Sequence, residues 1–113
     1  MARVEIVLSL YEEIEKVFKK ESVKIFALME SVQENPKKGK VLGQVGSIVI
    51  KELRYDSFRF YFLADGYNLK FLSEADMTDL LLRFVRMSDK KHQQKAIDET
   101  LHILTTIGPS GFS

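Results

Sequence analysis

The chain has 113 residues, 17 basic and 16 acidic side chains, and no cysteine. That length fits one compact domain able to bury a core of its own. The missing cysteines exclude disulfides and cysteine-based zinc sites, and a net charge of +1 argues against strong nonspecific nucleic-acid binding.

The opening residues, MARVEIVLSLYEEIEKVF, hold an apolar run broken by Glu5 and ended by Glu12 and Glu13. The run is too short and too acidic for a signal peptide or a membrane span. It predicts a soluble, cytoplasmic protein without a membrane partner. Residues 2–9 read as a strand with Val4, Ile6 and Leu8 on one face. Leu10, Ile14, Val17 and Phe18 then adopt helical spacing, and Ile25, Leu28, Met29 and Val32 repeat it from about Ser22 to Glu34. Asn35-Pro36 ends the stretch, because proline disfavours a helical residue before it. One long helix and a hairpin broken at Lys20-Glu21-Ser22 both fit.

The run KKGKVLGQVGS carries three glycines and reads as loop, with room for a short irregular strand. Residues 47–55 and 57–64 are rich in Ile, Val, Phe and Tyr and read as two strands around a turn at Asp56-Ser57. Asp65-Gly66 marks a further hairpin turn, leading into a strand at YNLKFLS. SEADMTD is a polar insert. Residues 79–87 fit strand or helix, and strand is the reading adopted. A last helix runs from Ser88 or Asp89 to Ile107, with Ala96, Ile97, Leu101 and Leu104 as its stripe and Gly108-Pro109 as its stop. Residues 1–108 thus form a single domain and 109–113 a loose tail. The fold class is α+β, with the N-terminal strand and helices packed on one face of an antiparallel sheet, followed by a C-terminal helix.

The stretch KELRYDSFRFYF places cations inside the strand pair. Side chains alternate along a strand, so Phe58, Phe60 and Phe62 share the face covered by helices. Arg59 and Tyr61 take the other. A two-residue turn at Asp56-Ser57 sets 54 opposite 59, 53 opposite 60 and 52 opposite 61. Arg54 and Arg59 then stand side by side on an open face, with Glu52 and Tyr61 beside them. Two arginines across a ladder repel unless Glu52 neutralises them or an anion binds. Spacing alone favours the plainer outcome, a salt-bridged face without a ligand.

The run KELR, then FRFYF, then LLRFVRMSDKKHQQKAID resembles the RelE/ParE toxin superfamily, and within it the HigB-like branch. The order of strand and two helices before it, and the loop KGKVLGQVGSIVIKELR, are similar as well. The resemblance covers roughly residues 2–100. It implies a toxin of a toxin–antitoxin pair, an endoribonuclease (mRNA interferase) that cuts RNA by attack of the 2′-OH on the adjacent phosphate. Such chemistry needs a base, an acid and fixed cations. Arg54 and Arg59 match the family's two arginine positions and would hold the phosphate. Tyr61 would orient or protonate the leaving group, and His92 is the side chain suited to proton transfer near neutrality. Lys90 and Lys91 match the Lys-rich turn and, with Lys51, Arg83 and Arg86, would bind RNA. The implied partners are a cognate antitoxin and mRNA on the ribosome, and a homodimer is compatible with the pattern. Neither cofactor nor metal is implied.

The sequence departs from the family in three places. The insert YNLKFLSEADMTD lengthens the segment before the last strand, Arg83 stands where many members carry His-Gly, and the charge is near neutral where they are basic. These points keep open a non-catalytic RNA- or protein-binding module of the same fold and a ParE-like gyrase inhibitor. KKGK lacks P-loop spacing, Glu12-Glu13 and Asp98-Glu99 fit solvated helix faces, and His92 and His102 without cysteine make a weak metal pair.

Overall fold

The computed structural model describes residues 3–65 and 81–107. Its elements are β1 (Arg3–Ile6), α1 (Leu8–Phe18), α2 (Ser22–Glu30), β2 (Lys40–Val45), β3 (Ile48–Tyr55), β4 (Phe58–Asp65), β5 (Leu81–Ser88) and α3 (Gln93–Ile107). The fold is α+β. The five strands form one sheet in the order β1-β5-β4-β3-β2. All neighbours are antiparallel except β1, which adds to β5 in parallel at the edge. The expected strand at YNLKFLS and the tail at 109–113 lie outside the described residues, while of the segment read as 79–87 the described residues, 81–87, belong to strand β5.

β1 is shorter than its apolar pattern predicts. The Val7 N–H donates to the Phe84 carbonyl, and the Val7 carbonyl then accepts from the N–H groups of Leu10 and Tyr11. The chain therefore turns helical at once, and Leu8, expected on one strand face with Val4 and Ile6, is 70% exposed. Helices α1 and α2 are separate. Lys19 takes a left-handed φ of 52°, and a short 3-10 turn at Lys19–Glu21 joins them, so the break at 20–22 is real. α3 starts later than expected, because Ser88 still belongs to β5 and the turn after it occupies 89–92.

The β3–β4 hairpin has the register that a two-residue turn dictates. Asp56 supplies the left-handed φ of 52°, which aspartate tolerates. Arg54 then faces Arg59, Leu53 faces Phe60 and Glu52 faces Tyr61. One sheet face carries Leu53, Phe60, Phe62 and Phe84 against Leu10, Ile14, Ile25 and Met29 of α1 and α2. Each large side chain buried there contributes roughly 1.5–3 kcal/mol as an upper estimate.

The opposite face is not open as the sequence predicts. Ile48, Ile50, Leu63 and Val85 pack with Leu104 of α3 into a second, smaller core. The C-terminal helix thus covers the face on which the arginine pair stands. A bulge between Tyr61 and Phe62 in the β4–β5 ladder places Val85 and Arg86 within this arrangement.

Candidate functional site

Three strands set the site by register. Arg54, Arg59 and Ser88 form one row across β3, β4 and β5, and Glu52, Tyr61 and Arg86 form the next. Both rows lie on the α3 side of the sheet. The Glu52 carboxylate is the hub. Its Oε1 lies 3.3 Å from Arg59 Nε and its Oε2 3.6 Å from Arg54 Nε. Gln93, the first residue of α3, donates to Oε1 at 3.2 Å. Arg59 Nη1 also donates to the Ser57 carbonyl at 2.9 Å.

Burial divides the pair. The Glu52 side chain is 1% exposed and that of Arg59 8%, whereas Arg54 is 58% exposed. The open-face expectation therefore holds for Arg54 and fails for Arg59 and Tyr61. Glu52 Oε2 and Arg59 Nε have no well-directed hydrogen bond, so the buried charges are held by proximity. One carboxylate against two guanidinium groups leaves a formal +1, and Arg54 is its solvent-facing end.

Tyr61 is fully buried, and its hydroxyl shares a 2.7 Å hydrogen bond with Ser88 Oγ. Burial raises its pKa above the ordinary 10, the Ser88 bond lowers it, the Glu52 charge raises it and Arg59 lowers it; the balance is upward. Tyr61 stays a phenol near neutrality and cannot act as a base.

The sequence-selected cations separate into two groups. Lys90 and Lys91 are exposed in the turn that follows Ser88, at the β5 end of the row that begins with Arg54 on β3. Arg83 lies 3.7 Å from Glu5 of β1, and Arg86 lies 3.7 Å from Glu99 of α3, so both are paired within the fold. Lys51 is displaced from the site altogether. It lies on the α1–α2 side of the sheet, 2% exposed, with Nζ donating to the Pro36 carbonyl at 3.4 Å and 5.6 Å from the Phe62 ring centroid. Desolvation lowers its pKa to about 8. It cannot reach RNA from there.

His92 is exposed, and its Nδ1 lies 2.7 Å from Asp89 Oδ1. Asp89 was not among the residues the sequence selected. Its signal was present as Asp-x-x-His directly before a helix, the spacing of an N-terminal cap. His92, Asp89 and Ser88 line a cleft of about 360 Å³ between α1 and α3. The cleft exists because β1 pairs with β5 only as far as Phe84, leaving the last residues of β5 without a strand on that side among the described residues. His102 is exposed on α3, away from this row.

Among the described residues no group of three His, Asp or Glu side chains is placed to hold a metal ion, and no helix is long and apolar enough to cross a membrane. Comparison of the chain with family models, with curated proteins and with solved structures finds no match in any of the three.

Proposed function

We propose that the chain is a RelE-like toxin that cleaves RNA and is held in check by a cognate antitoxin. The observation that carries this reading is the convergence, at one end of the β3–β4–β5 ladder, of Arg54, the exposed Lys90 and Lys91, and a histidine held by a carboxylate. Cations for a phosphate and a proton-transfer group thus lie at the same end of the sheet. Arg54 and the lysines bind the RNA backbone. Arg59 stays behind them and, through Glu52, fixes Arg54.

In the reaction the 2′-OH gives its proton to His92 as its oxygen bonds to phosphorus. The bond from phosphorus to the 5′ oxygen breaks, and that oxygen takes a proton from water. The products are a 2′,3′-cyclic phosphate and a 5′-hydroxyl. Tyr61, expected at the leaving group because it shares the arginines' face, instead braces the β4–β5 pair through Ser88.

A second reading is a binding module of the same fold without catalysis. The burial of Arg59 and Tyr61 favours it, since only Arg54 of the three reaches solvent freely. The deciding experiment is RNA cleavage in a translating extract by wild type, Arg54→Ala and His92→Ala, each checked for folding by circular dichroism. Cleavage by wild type that falls by about 10²–10⁴-fold in folded His92→Ala supports the enzyme. Folded wild type that binds RNA but leaves it intact overturns the enzyme and leaves the binding module.

A further inference from the structure

We infer that Asp89 is the positioning residue of His92, fixing which imidazole nitrogen carries the proton and presenting the other at the mouth of the cleft. The inference rests on the ribonuclease reading. A single carboxylate oxygen makes both contacts: Asp89 Oδ1 accepts the His92 backbone N–H at 2.9 Å and lies 2.7 Å from His92 Nδ1. An ionised carboxylate can only accept. Asp89 is held below its ordinary pKa, chiefly by the hydrogen bond from His92, so it is ionised near neutrality. The 2.7 Å contact then requires a proton on Nδ1, and the neutral ring keeps its lone pair on Nε2.

The backbone contact adds the aim. His92 begins the hydrogen-bonding of α3, with the Ala96 N–H donating to its carbonyl at 3.1 Å. Ring and helix are thereby tied to the same oxygen, so the imidazole is anchored although 66% exposed. A cap alone would need only the backbone bond, and the side-chain contact is additional.

His92 also borders the cleft, whose apolar lining is Val17, Phe58, Met87 and Ala96. The other titratable groups around the cleft are Glu13 from α1 and Lys95 and Glu99 from α3. When Nε2 takes the 2′-OH proton, the Nδ1 proton stays in its hydrogen bond, and the Asp89 carboxylate stabilises the imidazolium that forms. No proton passes to Asp89.

The test is Asp89→Gly, because glycine is tolerated where the chain enters a helix but offers no acceptor to the Nδ1 proton. Nitrogen-15 imidazole shifts report the tautomer in the folded protein without any RNA. The expected result is Nδ1–H in wild type and a shift towards Nε2–H in Asp89→Gly, with the helical circular dichroism unchanged. The variant's kcat on RNA should fall at least tenfold at unchanged KM. A wild-type ring in the Nε2–H form, or an unaltered tautomer in the variant, overturns the inference. Equal cleavage by the two proteins overturns it as well. Absence of cleavage by wild type removes the ribonuclease reading, and the nitrogen shifts still decide whether Asp89 sets the ring.

Discussion

Replacing Lys51 with methionine should stabilise the protein near neutrality. Lys51 is 2% exposed, and its ammonium has one backbone acceptor, the Pro36 carbonyl at 3.4 Å, and the face of Phe62. Burial lowers its pKa from 10.5 to about 8, so at pH 7 the folded protein still carries the charge in a place that disfavours it. A fall of that size corresponds to about 3 kcal/mol between the charged and neutral forms. Methionine has a similar length and no charge. It forfeits the hydrogen bond, worth about 1 kcal/mol, so the net gain at pH 7 is about 2 kcal/mol. Between about 8 and 10.5 the unfolded wild type holds a proton that the folded form has released. Wild-type stability therefore rises with pH across that window relative to Lys51→Met, and the variant's advantage shrinks. Urea unfolding of both proteins at pH 7 and pH 10 measures this. Methionine that destabilises at pH 7, or an advantage that does not change with pH, would refute the reasoning. RNA binding should be the same in both proteins, since Lys51 faces away from the site.

The Glu52 hub and the Tyr61–Ser88 bond make further predictions. Glu52→Ala strands Arg59 as a buried charge and should cost about 3–5 kcal/mol in urea unfolding. Arg54→Ala, at the exposed end of the same cluster, should cost less than about 1 kcal/mol. Tyr61→Phe leaves Ser88 Oγ without its partner and should cost about 1 kcal/mol, and adding Ser88→Ala to it should cost less than the sum of the two single changes.

The β3–β4 register was legible because it rests on local facts. A two-residue turn fixes the pairing, and alternation then assigns each side chain to a face. The same alternation places Lys51 with Leu53 and Val49, on the core side. Its positive charge suggested RNA, yet a long aliphatic stem lets lysine lie within a core face. The cover over Arg59 and Tyr61 was not legible, because the apolar stripe of α3 does not say which sheet face it will meet. Ile48, Ile50 and Leu63 held the answer, being apolar positions on the same face as the arginines, with Leu104 as their partner. The parallel pairing of β1 with β5 carries no local signal, since the strands are far apart in sequence. Asp89 was visible only as a capping pattern, and its contact with the imidazole depends on how the helix start is oriented.

The parallel edge strand also orders events in time. Residues 3–6 find their partners at 81–84, so the first strand of the sheet waits for the last. The β3–β4 hairpin, by contrast, closes through a two-residue turn and can form early. Long-range contacts of this kind slow folding, because the loop between them must lose its freedom before the pairing is gained. A chain on the way to its native state, or one halted during synthesis before residue 84, therefore has its hairpin while Val4 and Ile6 remain without a sheet to join. In this interval Val4 and Ile6 lack the neighbour that β5 later supplies.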